Sequence, residues 1–203
     1  MWHVEKCGPD LALTPPIALA SYVVWSPDKV VQAWHFASEA HFGQNVPGRE
    51  RAYIDHVGGV AMEVMAAIAG RDDVGRPDLA IQCALLHDVV EDTPVTVADI
   101  QEKFGKNVAA GVSALTKDES LGTKDEQMRD SLARIRQQPR EVWMVKLADR
   151  ITNLQPPPPH WSPEKIARYR QEAQLIYDEL HEACPVLASR LAAKIAEYPD
   201  TIG

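Results

Sequence analysis

Four polar side chains end an otherwise apolar stretch of the chain, ALLHDVVEDT at residues 84–93. They are His87, Asp88, Glu91 and Asp92, side-chain types that bind metal ions and transfer protons. Residues four apart on a helix share a face, so His87 lies below Glu91 and Asp88 lies below Asp92. Three carboxylates and an imidazole at the end of a buried helix would repel and desolvate one another. A bound divalent cation removes that repulsion, so the stretch predicts a metal site.

Two residues on other predicted helices can complete such a site. Asp149 lies in VWMVKLADRITNL, on or beside an apolar stripe, and His56 lies on the apolar side of a helix at 53–69. Structural alternatives exist: a core histidine with satisfied hydrogen bonds, an Asp149–Arg150 pair, or a His87-Asp88 cap with its acids in water. Together His56, His87, Asp88 and Asp149 form a mixed nitrogen and oxygen donor set that suits Mn, Fe or Zn.

The elements that must position these residues all read as helices, which predicts an all-α fold. Ser26-Pro27 and Ser162-Pro163 have the signature of a helix start, and Thr96-Val-Ala-Asp99 has that of a capping box. We predict helices at 27–43, 53–69, 76–92, 96–105, 106–116, 125–137, 140–154, 162–181 and 186–197. No segment alternates apolar and polar residues convincingly as a strand does. Four prolines at 156–159 predict an extended loop.

These elements predict one helical-bundle domain at residues 27–198, with the metal site between its helices. An extension of unknown role at 1–26 precedes the domain, and a short tail at 199–203 follows it. No stretch reaches the length of about 18 apolar residues that a membrane helix needs. The first residues also lack the charged and apolar regions of a signal peptide.

Composition limits the partners that we expect. The net charge of −8 and the pI near 5.3 argue against nucleic acids and anionic membranes, which require a broad basic surface. A small anionic substrate in a local basic pocket stays compatible with this charge, and self-association is left open. The cysteines Cys7, Cys83 and Cys184 have no close spacing. We therefore expect reduced thiols and a cytoplasmic protein.

Five segments of the sequence carry a family resemblance: AYIDHVGGVAMEV (52–64), ALLHDVVEDT (84–93), FGKNVAAGVSALTK (104–117), VKLADRITNL (145–154) and PEK…IY (163–177). They resemble the HD superfamily of metal-dependent phosphohydrolases, and more closely the hydrolase domain of the RelA/SpoT family and its single-domain relatives, the small alarmone hydrolases. The resemblance spans about residues 30–185. It implies an HD-domain bundle that removes the 3′-pyrophosphate of (p)ppGpp, giving GDP or GTP.

The resemblance also implies roles for the polar residues. Mn²⁺ would be held by His56, His87, Asp88 and Asp149, and Glu91 and Asp92 would be the catalytic acidic pair. A divalent metal lowers the pKa of its bound water and neutralises phosphate charge. One acid would orient the attacking water and the other would protonate the leaving oxygen, but the sequence leaves open which acid does which.

A pyrophosphate substrate needs basic residues near the metal. The candidates are Lys117, Lys124, Arg129, Lys146 and Arg168, each of which also has an ordinary interpretation as a surface charge. By resemblance Asn153 contacts the nucleotide sugar, and Tyr177 lines the nucleoside pocket. A helix-terminal Asn153 and a core Tyr177 are the structural alternatives.

The sequence departs from the family in two loops. QNVPGRERAY (44–53) has Val46-Pro47 where relatives carry an Arg-Lys pair, so Arg49 or Arg51 would have to substitute. The second loop, QPPPPHW at 155–161, lies beside the predicted site, where His160 and Trp161 could either stack on a base or pack beneath it. Both departures put the base preference in doubt, so (p)ppApp stays an alternative to (p)ppGpp. We expect hydrolysis only, since no synthetase domain follows.

Two other functions stay open. An HD phosphohydrolase could act on a different nucleotide or phosphoester through the same metal site. A catalytically silent regulatory module could retain the fold alone, but it is disfavoured because all four predicted ligands and both acids are present.

Overall fold

The computed structural model describes residues 25–69 and 71–199, and the regular structure within these ranges is helical. An isolated bridge between Asn45 and Ala52 is the strand-like pairing found there. The all-α prediction is therefore confirmed. The predicted extension at 1–26 and tail at 199–203 lie mostly outside the described residues. The helices are α1 (Pro27–Ala40), α2 (Tyr53–Ile68), α3 (Pro77–Leu86), α4 (Val89–Asp92), α5 (Val97–Phe104), α6 (Lys106–Leu115), α7 (Lys124–Arg136), α8 (Arg140–Asn153), α9 (Pro163–Leu180) and α10 (Pro185–Glu197), with a 3₁₀ turn at His181–Ala183.

Short polar side chains start the helices where the sequence predicted. Ser26 accepts a hydrogen bond from the Lys29 amide at 3.5 Å, and Ser162 accepts one from the Lys165 amide at 3.3 Å. Thr96 forms the predicted capping box with Asp99, and α5 ends at Gly105, whose φ of 86° favours glycine. A second capping box at the start of α7, between Thr123 and Glu126, was not predicted.

The predicted helix at 76–92 is wrong in one respect, because the structure divides it into α3 and α4. At the junction Asp88 has φ of −103° and ψ of −3°, outside the values of a regular helix. The break coincides with buried contacts between the Asp88 carboxylate and residues of α2. Tertiary contacts thus outweigh the local helix preference at this position.

Helix α3 is the central element of the bundle. All residues from Leu79 to Leu86 are buried, and the helix packs against α1, α2, α6 and α8. Gly111 lets α6 approach closely, since a Cβ there would lie 2.7 Å from the Cys83 sulfur and 3.0 Å from Val142. This packing fixes the carboxyl end of α3 between α2 and α8, the helices that carry His56 and Asp149.

The described cysteines, Cys83 and Cys184, are free and buried. Burial, with a contribution from the negative charge of Glu141, raises the pKa of the Cys83 thiol to about 12. This thiol is therefore neutral and unreactive at ordinary pH. In the ranges that the structure covers, no helix has both the length and the apolar character needed to cross a membrane.

Candidate metal centre and basic cavity

Helices α2, α3 and α8 bring three predicted ligands together. The Nε2 atom of His56 lies 3.5 Å from Oδ1 of Asp149, and the Nε2 atom of His87 lies 3.8 Å from the same oxygen. One ligand atom of each residue lies within 4.8 Å of the others, and all three residues are buried. These distances suit a single cation bound between the three side chains.

Asp88 joins the same group from the α3–α4 junction. Its Oδ2 lies 2.9 Å from Nε2 of His87 and 3.5 Å from Nε2 of His56. The four residues predicted as ligands therefore lie together, and we call His56, His87, Asp88 and Asp149 the metal cluster. The alternative Asp149–Arg150 pair is not formed, since Arg150 approaches Glu172 at 3.5 Å. His87 and Asp88 do stand at the end of α3 and the start of α4, but Asp88 makes no side-chain capping hydrogen bond there.

The imidazole of His87 is oriented as a metal ligand would be. Its Nδ1 lies 2.8 Å from the Ala84 carbonyl oxygen, so an Nδ1–H donates there and directs Nε2 into the cluster. That Nε2 is buried and has no hydrogen-bonding partner in the described part of the chain, although Asp88 lies 2.9 Å away. A buried nitrogen without a hydrogen bond, surrounded by two carboxylates, fits a divalent cation.

The charges of the cluster shift the pKa of each member. Burial opposes protonation of His87, but the carboxylates of Asp88 and Asp149 outweigh it and raise its pKa to about 9. Burial also opposes ionisation of Asp88, yet His87 and His56 hold its pKa well below the usual range. Asp149 behaves likewise, because Lys146 and His87 lower its pKa against the effect of burial. Without a cation, the cluster therefore retains a proton on His87.

The two predicted acids lie on α4 in different surroundings. Glu91 accepts from Lys117 twice, from its Nζ at 2.5 Å and from its backbone amide at 3.1 Å. Burial, and next the charge of Asp88, raise the pKa of Asp92. Tyr53 donates a 2.6 Å hydrogen bond to Oδ2 of Asp88 and fixes that carboxylate beside Asp92. Glu91 is therefore paired with a cation, whereas Asp92 keeps its proton to a higher pH than an ordinary aspartate does.

Two connected cavities lie at the cluster. The smaller, of about 120 Å³, is lined by His87, Asp88 and Asp92. The larger, of about 450 Å³, lies between α7, α8 and α9, and we call it the basic cavity. Both are lined by Glu91, Lys117, Lys146, Asp149 and Asn153.

Lys146 and Asn153 connect the cluster to the basic cavity. The Nζ of Lys146 lies 3.2 Å from Oδ2 of Asp149, and the side-chain amide of Asn153 donates to Oδ1 at 2.6 Å. Both residues were predicted to contact substrate, and both line the basic cavity beside the cluster. They therefore hold Asp149 from one side while facing the open space on the other.

The structure brings some predicted substrate contacts to the basic cavity and leaves others away from it. Lys124 and Arg168 line it, as do Lys117, Lys146 and Asn153. Arg129 does not, because it lies five residues after Lys124 and so on another face of α7. It lines two neighbouring cavities, one with Leu132 and one with Arg168, which also lines the basic cavity.

The other three predicted contacts are also placed elsewhere. Tyr177 lies two turns beyond Tyr169 on α9 and stacks on His181 with ring centroids 5.3 Å apart. Arg49 and Arg51 are exposed on the loop before α2, where the Val46 amide donates to the Arg51 carbonyl at 2.8 Å. Neither arginine lines the basic cavity or the cluster.

An aromatic and basic set lies on the far wall of the basic cavity, and the sequence indicated only one of its members, Trp161, as a possible contact to the base. The Nζ of Lys165 lies 4.1 Å from the centre of the Trp161 ring, and Arg150 lies 4.5 Å from that of Tyr169. The rings of Trp161 and Tyr169 meet edge to face at 5.2 Å. Their four-residue spacing with Lys165 is a sequence signal that could have identified this wall.

The fold and the metal cluster together define an HD domain, and the family comparison agrees. The HD domain family model matches residues 33–186 of the chain. The chain therefore belongs to the HD domain family.

Similar proteins within this group carry more specific names. The guanosine-3′,5′-bis(diphosphate) 3′-pyrophosphohydrolase MESH1 of Xenopus tropicalis is 32% identical over 167 residues, covering 80% of this chain and 90% of that protein. The bifunctional (p)ppGpp synthase/hydrolase SpoT of Escherichia coli is 34% identical over 155 residues, covering 73% of this chain and 21% of SpoT. A solved structure described as a metazoan ortholog of SpoT that hydrolyzes ppGpp matches with a TM-score of 0.74 and 27% identity, covering 88% of this chain and 98% of that one.

Proposed function

We propose that the chain is a metal-dependent 3′-pyrophosphohydrolase of purine nucleotide alarmones, with residues 27–198 as its HD domain. The observation that carries the proposal is the direct opening of a buried His/Asp cluster into a cavity lined by Lys117, Lys124, Lys146 and Arg168. A volume of about 450 Å³ is suited to one nucleotide. The similar hydrolases named above support the same substrate class.

We propose Mn²⁺ as the metal, held by His56, His87, Asp88 and Asp149. Two imidazoles and two carboxylates suit this ion, and no thiolate lies among the cluster's donors to favour zinc. When bound, the metal would supply Lewis acidity toward a phosphate oxygen and lower the pKa of a bound water. The unpartnered Nε2 of His87 supports a bound divalent cation at this position.

The two acids take different roles in the proposed reaction. Water adds to the phosphorus attached to the 3′ oxygen, the bond from that phosphorus to the 3′ oxygen breaks, and the 3′ oxygen takes a proton. Glu91, held by Lys117, is placed to accept the proton of the attacking water. Asp92 has a raised pKa and is the better donor to the leaving 3′ oxygen. The products are pyrophosphate and a nucleoside 5′-phosphate.

The walls of the basic cavity would bind the rest of the substrate. Lys146 lies nearest to the cluster and would neutralise the 3′-pyrophosphate, whereas Lys124 and Arg168 would bind the 5′-phosphates. Asn153 faces the same space, as expected for a contact to the sugar. The aromatic rings of Trp161 and Tyr169 offer a surface for a purine of either kind, so (p)ppGpp and (p)ppApp both fit the proposal.

We also propose a cytoplasmic location for the protein, where the buried thiols Cys83 and Cys184 stay reduced. The acidic net charge of −8 supports a small nucleotide as the partner and not a nucleic acid. Gel filtration of the purified protein, in the presence and absence of Mn²⁺, tests whether it self-associates.

The function is tested by measuring released pyrophosphate and orthophosphate separately, with Mn²⁺ and with ppGpp, ppApp, GTP, ATP and a generic phosphoester. We expect pyrophosphate from a 3′-pyrophosphorylated purine, and its loss in Asp88→Ala and in Glu91→Ala/Asp92→Ala. Glu102→Ala, an exposed acid on α5, is the matched control and should behave as wild type.

Each other outcome selects one of the alternatives. Orthophosphate from general esters would move the protein to an HD phosphohydrolase of different substrate. Bound metal without any turnover would favour a silent regulatory module and contradict the proposal.

A further inference from the structure

A second sizeable cavity lies away from the metal cluster, toward the opposite end of α3. It has a volume of about 830 Å³, and we call it the accessory cavity. Its lining on α3 runs from Pro77 to Gln82, so its nearest residue on that helix lies about 7.5 Å from His87 along the helix axis. None of the residues that line it belongs to the proposed catalytic machinery. The proposed hydrolase reaction therefore does not use it.

Three helices begin at the accessory cavity. Its wall includes residues of the first turns of α1, α3 and α6, represented by Lys29, Asp78 and Asn107. The first amide groups of a helix have no partner within it and carry a partial positive charge. At α3 the first helical residue is Pro77, which has no N–H, and the Arg76 amide donates to Glu141 at 2.8 Å. Helix α6 has no side-chain cap, so its first amides stay available to an anion.

A second observation points to a ligand independently of the helix ends. Gln82 is only 7% exposed and lies on the same face of α3 as Asp78 and Leu79, which also line the accessory cavity. Its side-chain amide has no hydrogen-bonding partner in the part of the chain that the structure describes. Gln82 therefore directs a donor and an acceptor into the cavity with nothing from the protein to meet them.

The charge of the cavity is positive although the chain is acidic. Lys29 is neutralised by Asp78, whose Oδ2 lies 2.6 Å from its Nζ. Arg76 and Lys103 also line the cavity and have no carboxylate partner among the described residues. Lys103 lies over the Phe36 ring at 4.8 Å, which holds its ammonium group at the rim. Two cations thus stay unpaired near the start of α6.

We propose that the accessory cavity binds a nucleoside polyphosphate, as a second site distinct from the catalytic one. The phosphates would lie at the first turn of α6, between Arg76 and Lys103. The base would lie against Trp25 and Phe104, the aromatic side chains of the wall, and would hydrogen bond with Gln82. The aromatic wall distinguishes a nucleotide from inorganic pyrophosphate, which shares the phosphate chemistry.

The test follows the Gln82 side-chain amide by ¹⁵N NMR in the full-length protein, in buffer with EDTA. Its resonance is identified from its loss in Gln82→Leu, or in Gln82→Glu if the leucine variant does not fold. ATP, which is not the proposed substrate, and inorganic pyrophosphate are the two probes. We expect ATP to shift the resonance saturably and to bind more tightly than pyrophosphate does.

Two double variants test whether ATP binds in the accessory cavity itself. Arg76→Gln/Lys103→Gln should weaken ATP binding about tenfold or more, because two charge-assisted contacts are lost. Arg140→Gln/Lys194→Gln changes the net charge equally and should leave the binding unaltered. Pyrophosphate binding as tightly as ATP would overturn the nucleotide assignment. A resonance that neither probe moves, or equal ATP binding in both double variants, would overturn the site.

Discussion

The side chains of the metal cluster are fixed by other protein groups, whereas many of those around the basic cavity have their charged ends in solvent. Ala84 orients His87, Tyr53 orients Asp88, and Lys146 with Asn153 orients Asp149. In the basic cavity, Lys124, Lys165 and Arg168 are exposed. The difference teaches that the chemistry is built into the packed bundle, while substrate selection depends on side chains that evolution can replace at little cost in stability.

The largest expected effect comes from the cluster. His56→Ala removes one imidazole from a buried site that has no replacement ligand, so we expect loss of bound Mn²⁺ and a fall in kcat/KM of about a thousandfold or more. Metal content by elemental analysis and kcat/KM with the preferred alarmone measure both effects. Asp55→Ala, the exposed neighbour on α2, is the control and should retain metal and activity.

Lys124→Gln, a variant of the basic cavity, is compared with His56→Ala in the metal cluster. If His56→Ala retained full metal content, or lost no more activity than Lys124→Gln does, the cluster would not be the fixed centre described here. Lys124 is exposed and supplies only one charge, and so its loss is expected to raise KM with little change of kcat.

The next effect is a pH dependence that belongs to the cluster alone. In the metal-free protein the pKa of His87 is raised from 6.5 to about 9, and metal binding must displace this proton. Affinity for Mn²⁺ should therefore rise about tenfold per pH unit between these values and level off above them. Competition with a chelator at each pH measures the affinity.

The raised pKa of His87 also affects the stability of the metal-free protein. As pH rises, affinity for Mn²⁺ should increase, whereas this stability should decrease. A histidine whose pKa is raised on folding stabilises the folded state fully below pH 6.5, and this contribution is lost as pH rises through about 9. Metal-free protein should thus become easier to denature with urea across that range, while the protein saturated with Mn²⁺ should not. An affinity and a stability that are both flat from pH 6.5 to 9 would show that His87 is already neutral.

The cluster could be predicted from the sequence because its signals are local. Helix starts at Ser26 and Ser162 depend on residues three positions apart, and the apolar run before His87 identifies a buried helix. Because α2 and α8 each bury one face against α3, the side chains of His56 and Asp149 on those faces point toward the end of α3. The family resemblance then indicated that these three helices bring their polar residues to one site.

The basic cavity could be predicted only in part, because its lining depends on how helices dock. Arg129 and Tyr177 have suitable chemistry, but the rotation of α7 and the length of α9 place them away from the cluster. The break at Asp88 likewise results from contacts with α2, which no local pattern encodes. Trp161 follows four prolines, and nothing in that loop shows which way its ring faces.

The smallest expected effect tests that ring. Trp161 lines the basic cavity with Lys165 over its face, so a purine stacked there would lose its support in Trp161→Ala. We expect KM to rise about tenfold with kcat nearly unchanged, the range found for base stacking on aromatic side chains. Trp161→Phe retains an aromatic face and should recover most of the loss. Trp34→Ala, which removes a half-exposed tryptophan of α1 beside Gly58, should leave KM unaltered. A fall in kcat without a change of KM in Trp161→Ala would instead mean that the ring supports α9 and that the purine binds elsewhere in the basic cavity.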